Sequence, residues 1–137
     1  MTRLRVLIAG GGVGGLCLAQ GLKSAGIEVT VFERDASVLA RDQGYRLHIS
    51  PEGEQALRHC VPERVARLIA ATSNTRYGEG LIAYSESLEP KWAPQFDDPR
   101  GDQPDKIDSV DRVTFRRALL AGLDDVVQFD SRIESHR

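Results

Sequence analysis

Three glycines, Gly10, Gly12 and Gly15, make a G-x-G-x-x-G string inside a stretch in which five of the six residues 10–15 are glycine. Residues of this type at this spacing can hold a dinucleotide. Gly10 allows a tight strand-to-helix turn. Gly12, having no side chain, lets a pyrophosphate approach the backbone, and Gly15 lets the helix pack closely on the sheet. Val13 and Gly14 stand in the same turn and are taken with it as cofactor-binding, because the N–H groups and the positive dipole end of a helix N-terminus attract phosphate. An acid, Glu33, lies 21 residues beyond Gly12 at the end of the next apolar run, where it can accept hydrogen bonds from ribose hydroxyls. The bland alternative is a plain turn, but that needs one or two glycines, and each added glycine raises the entropy lost on folding. The charge of Glu33 would repel a 2′-phosphate, so FAD or NAD fits better than NADP, and the string alone does not separate those two.

These residues need elements to position them. Residues 4–9 are nearly continuous apolar sequence, the pattern of a strand buried on both faces of a parallel sheet. A helix is expected from about Gly14 to Ala25, with Leu16, Ala19 and Leu22 at helical spacing and Gly26 as its stop. Residues 28–33 read as a second strand, completing a βαβ unit. Further on, 34–44 reads as loop and 45–49 as a short strand. Ser50-Pro51-Glu52 opens a helix to about His59, and a second helix spans about Pro62 to Ala71. Residues 80–85 read as strand and 97–109 as a polar loop. Asp111 to Gly122 reads as a helix with Val113, Leu119, Leu120 and Leu123 as apolar contacts, and 126–129 as a strand. The fold class is α/β, a Rossmann-like FAD/NAD(P)-binding fold.

The bulk properties narrow the partners. The 137 residues fit one domain, and 41% hydrophobic content suits one core. A net charge of −2 gives no basic face, so neither nucleic acid nor an anionic membrane is expected. No apolar run approaches the roughly 20 residues of a membrane helix, and the N-terminus does not read as a signal peptide, so a cytoplasmic location is expected. Cys17 and Cys60 form no CxxC and read as reduced, buried thiols. His48, His59 and His136 are scattered, so no metal is expected. The acids between positions 97 and 111 lack the spacing of a calcium loop. Trp92 and Phe96 could line a cleft, but such residues more often anchor a loop to the core.

The stretch from Val6 to Leu16, continuing through Gly26, Val29 and Glu33-Arg34, resembles the start of the para-hydroxybenzoate-hydroxylase-like FAD-dependent monooxygenases of group A, the aromatic-ring hydroxylase type. Gly44 to Pro51 with Ala56-Leu57, and Asp111 to Leu119, resemble two further segments of that family, in the same order. The resemblance implies that Gly10, Gly12 and Gly15 meet the FAD pyrophosphate, Glu33 the adenosine ribose and Arg34 the adenine side. It places Arg112 at the phosphate or ribityl region, and Gly44 and Arg46 near the cofactor. It further implies NAD(P)H as co-substrate, dioxygen, and a small aromatic or similar substrate. A solvated surface cation is the alternative for Arg46 and Arg112.

The chain also departs from that family. No Asp-Gly dipeptide is present, and its one Gly-Asp, Gly101-Asp102, lies in a polar loop. Residues 1–137 are therefore expected to be a partial FAD-binding domain, the N-terminal portion of a larger one. The later FAD motifs and the substrate domain are absent from it. Such a piece is expected to need a complementing chain or to self-associate. No acid–base or nucleophile constellation stands out. The rival readings are a non-catalytic FAD/NAD-binding module and a fragment of an NAD-dependent dehydrogenase.

Overall fold

The computed structural model describes residues 4–40, 45–74, 82–93, 106–107 and 109–135. Strand β1 (Arg5–Ala9), helix α1 (Val13–Ser24) and strand β2 (Glu28–Phe32) form the expected βαβ unit. β1 and β2 are parallel and in register, with Val6 opposite Val29 and Ile8 opposite Val31. Next come β3 (Arg46–His48), α2 (Pro51–Cys60), α3 (Glu63–Thr72), β4 (Ser73–Asn74) and the hairpin β5 (Ala83–Tyr84) and β6 (Pro90–Trp92). The last elements are β7 (Ser109–Asp111), α4 (Arg112–Leu120) and β8 (Val127–Gln128).

β2 is the centre of the first sheet, flanked by β1 and by β8, both parallel to it. A second, antiparallel sheet has the order β3-β7-β4. One core joins the two sheets. Val31, Leu16, Val65, Ile69, Val110, Phe115, Leu119 and Leu123 are buried in it with Ile8 and Val29. These side chains belong to the face of the first sheet that carries Val6, Ile8, Val29 and Val31, to the helices covering it, to β7 of the second sheet (Val110) and to the turn after α4 (Leu123).

The helix boundaries follow local chemistry. Ser50 caps α2 by accepting a hydrogen bond from the Gly53 N–H at 3.2 Å, with Pro51 in the first turn. Asp111 caps α4, its Oδ1 accepting from the Thr114 N–H at 2.8 Å and the Thr114 hydroxyl at 2.9 Å.

Three expectations need amendment. β1 is not buried on both faces, because Leu7 is 59% exposed and only the Ile8 side meets the core. Ser109 is not loop. It begins β7, the middle strand of the second sheet, where Val110 is 1% exposed. Trp92 anchors nothing in the core, being exposed on β6. Gly44, Phe96, His136 and all the acids of 97–108 lie outside the described residues.

Candidate dinucleotide-binding site

The glycine turn between β1 and α1 stands at the carboxyl end of the parallel strands, the edge where open α/β sheets hold ligands. Gly10 has φ +106°, a conformation that a side chain would strain. A Cβ on Gly15 would collide with the Gly10 carbonyl oxygen and press on Ile8, so this glycine permits the close approach of α1 to β1. No side chain caps α1, and no acid stands in its first turn. Its N-terminus is therefore electropositive, and a Cβ on Gly12 would meet nothing within 4 Å.

A cleft of about 500 Å³ opens at this turn. Gly10, Gly12 and Val13 line one side, Glu33, Arg34 and Asp35 another, and Arg112 and Arg116 a third, with residues 131–133 at the rim. Gly14 and Gly15 lie in α1 and do not line the cleft. Neither does Arg46, whose Nη1 is 3.5 Å from the Ser109 hydroxyl across the second sheet. The cleft-forming segments are tied to each other. The Gly10 N–H donates to the Phe32 carbonyl at 2.8 Å, the Glu33 N–H to Gln128 at 2.8 Å and the Ser131 N–H to Glu33 at 2.8 Å.

Glu33 is the buried acid of the cleft, 6% exposed. Its Oε2 accepts from the Gly11 N–H at 2.8 Å, and its Oε1 accepts from the Asp35 N–H at 2.9 Å. Arg116 Nη2 stands 3.0 Å from the same Oε2. A carboxylate offers about four acceptor positions. Among the described residues these contacts occupy three of them, so Oε1 keeps capacity for a hydroxyl.

Arg116 is the functional residue that sequence reasoning missed. Besides meeting Glu33, its Nε donates to the Gly11 carbonyl at 2.8 Å, and its Nη1 lies 3.6 Å from Asp35 Oδ2. The signal that could have found it is its spacing, four residues beyond Arg112 on one helix face. The Arg112 guanidinium sits 5.2 Å from the centre of the Tyr45 ring, and its backbone N–H donates to the Tyr45 carbonyl at 3.2 Å. Arg34 is exposed at the cleft.

Away from the cleft, Cys17 on α1 and Cys60 at the end of α2 are both free and half-buried, rather than fully buried. Burial, then the neighbouring Cys60, pushes the Cys17 thiol up to about 11, so it is protonated at neutral pH and is no activated nucleophile. Among the described residues no three His, Cys, Asp or Glu side chains gather as a metal site, and no helix is long and apolar enough to cross a membrane.

The arrangement suits a phosphate-bearing ligand with a ribose, and the residues present fit the pyrophosphate and adenosine of a dinucleotide. The vacant space over Gly12 and the uncapped helix end face the same cleft as the acid.

Known proteins resemble this chain in sequence and in fold. Residues 8–59 match the family model of the NAD(P)-binding Rossmann-like domain. The dual O-methyltransferase/FAD-dependent monooxygenase CTB3 of Cercospora beticola is 35% identical over 140 residues, covering 96% of this chain and 15% of that protein. A solved structure from Photorhabdus luminescens subsp. laumondii TTO1, described as an FAD containing monooxygenase, is 32% identical. It superimposes with a TM-score of 0.72 over 93% of this chain and 30% of its own. CtdE, solved with FAD and substrate, has a TM-score of 0.75 at 16% identity over 98% of this chain, a likeness of fold. The chain thus spans between a seventh and a third of these relatives. It carries a Rossmann-like FAD/NAD(P)-binding α/β fold, and its relatives are FAD-dependent monooxygenases.

Proposed function

We propose that this chain is the FAD-binding portion of a flavin-dependent monooxygenase of the para-hydroxybenzoate-hydroxylase-like group, acting in the cytoplasm on an aromatic or similar small molecule. The observation that carries the proposal is the placing of Glu33. A buried carboxylate with acceptor capacity shares one cleft with an uncapped glycine-rich helix N-terminus. That combination recognises a ribose and a pyrophosphate together.

In this proposal Gly10, Gly12 and Val13 receive the pyrophosphate, with Gly14 and Gly15 shaping the turn. Glu33 accepts from the adenosine ribose, Arg34 borders the adenine, and Arg112 meets a phosphate or the ribityl chain. For Arg46 and Gly44 a place near the cofactor rests on the family resemblance alone. When bound, FAD would supply the redox chemistry that links NAD(P)H and dioxygen. The residues of this chain bind and orient. NAD(P)H oxidation and substrate hydroxylation belong in the proposal to the full-length protein or to a complemented complex.

The match to an NAD(P)-binding family model favours one rival, NAD itself. Calorimetric titration of the purified chain with FAD and with NAD, repeated on Gly12→Val, separates the two. Saturable FAD binding, tighter than NAD and lost in the variant, is the expected result. NAD binding without FAD binding overturns the proposal, as does a folded chain that binds neither.

A further inference from the structure

We infer that Arg116 is the positioning residue that lets a carboxylate operate inside an anion-binding cleft, by neutralising Glu33 and holding it for the ribose hydroxyls. The inference rests on the dinucleotide reading and adds a residue to it.

The cleft contains a conflict that an internal cation can resolve. Glu33 Oε2 is hydrogen-bonded to the N–H of Gly11, which lies between the two glycines proposed to meet the pyrophosphate. A negative charge therefore stands beside the place where a diphosphate must bring more negative charge. The Glu33 side chain is only 8% exposed, so water screens that repulsion poorly.

Arg116 stands at this point. Its guanidinium is 3.0 Å from Glu33 Oε2 and 3.6 Å from Asp35 Oδ2, and its Nε is 2.8 Å from the Gly11 carbonyl oxygen. One planar, permanently charged group thus spans the turn, the acid and the residue after Arg34. Arg34 and Arg132 lie exposed at the same cleft and are far more hydrated.

The geometry also divides the carboxylate. Arg116 and Gly11 hold Oε2, whereas Oε1 takes one described hydrogen bond, from the Asp35 N–H, and keeps capacity for a ribose hydroxyl. Removing Arg116 releases a buried charge and lets the carboxylate turn away.

A purely structural brace between α4 and the turn would behave differently, and two probes tell them apart. The whole chain is titrated with ADP and with 2′,3′-dideoxy-ADP, as wild type, Arg116→Met, Arg116→Lys, Glu33→Gln and the Glu33→Gln/Arg116→Met pair, with circular dichroism to certify each fold. The wild type is expected to prefer ADP by about tenfold or more, the worth of hydrogen bonds to a charged acceptor. Arg116→Met is expected to weaken ADP by about tenfold and to erase most of that preference. Arg116→Lys keeps the charge and loses the fork, so it should retain most ADP affinity while the preference falls.

The decisive reading is a change of sign. Glu33→Gln weakens ADP in the wild type and strengthens it in the Arg116→Met background, where it removes an uncompensated charge. Equal weakening of both probes by Arg116→Met, with no rescue by Glu33→Gln, overturns the inference and leaves the dinucleotide reading standing. If Arg116→Met does not fold, the retained or reduced preference of Arg116→Lys decides. Failure of the wild type to bind ADP defeats the dinucleotide reading itself, and the inference falls with it.

Discussion

Arg112 and Arg116 stand four residues apart on α4, and both reach the cleft. Only Arg112 was legible in the sequence, because its value there came from a family resemblance. Glu33 and the glycines were legible from chemistry alone, since a helix-opening glycine turn and a strand-ending acid have one common use. Arg116 carries no such signature. Its role arises from where α4 crosses the glycine turn, a relation between residues 105 positions apart. Asp111 is a second residue whose role is local. The Thr114 backbone N–H and then its hydroxyl hold the Asp111 carboxyl below the usual carboxylate range. A depressed folded-state value means that the ionised acid stabilises the fold. That contribution is complete above the unfolded-state value of about 4 and disappears as pH falls through the lower folded-state value. Asp111→Ala is expected to cost about 1 kcal/mol at neutral pH. Urea melts at pH 7 and below pH 4 check this: the difference between wild type and variant should shrink in acid. An undiminished difference would mean that Asp111 acts by packing instead of by its charge.

At the scale of elements, β1, α1 and β2 were legible because their periodicities differ and glycine punctuates them. Within the covering layer, β7 was not. Three residues that follow a Pro- and Asp-rich stretch acquire strand character only from pairing with β3 on one side and β4 on the other. The apolar contacts of α4 read from the sequence are Val113, Leu119, Leu120 and Leu123. Leu119 and Leu123, the latter just past the helix end, are buried, and Leu120 is half-buried against the core. Phe115 completes the apolar face, whereas Val113 faces the cleft. α4 is held to α1 by a buried polar clamp as well as by packing. Gln20, 3% exposed, donates its Nε2 to the Leu119 carbonyl at 2.7 Å and to the Ala121 carbonyl at 3.1 Å. These are carbonyls at the C-terminal end of α4, which the helix itself cannot satisfy. Gln20→Leu preserves the size of the side chain and leaves both oxygens without this donor, so it is expected to destabilise by about 1–3 kcal/mol. The check is the midpoint of urea unfolding at unchanged m-value. A midpoint equal to that of the wild type would show that water replaces the amide and that the clamp adds nothing.

At the scale of the whole molecule, among the described residues one face of the first sheet is packed and the other is left open. The sequence 4–9 is nearly continuously apolar, as a strand covered on both sides would be, yet the described helices cover only the Ile8 side. Leu7, at 59% exposure, stands in solvent on the other side, and among the described residues β1 has a strand partner only in β2. That leaves a parallel edge strand with Leu7 exposed on the same side as one ion pair, Arg5 with Glu28 at 3.2 Å. Exposed pairs contribute little, and an open apolar edge is where chains associate. The isolated chain is therefore expected to self-associate as its concentration rises, through this face. Leu7→Lys places a charge on the bare face without touching the core, the device by which natural edge strands resist pairing. In sedimentation velocity the wild type should show a weight-average mass that climbs from low to high micromolar concentration, and Leu7→Lys should hold the monomer value. The substitution lies on the far side of the sheet from Ile8, so ADP affinity should be unchanged. A variant that associates as strongly as the wild type would move the contact to another surface, with the exposed hairpin residues Tyr84, Leu88 and Trp92 next to be charged.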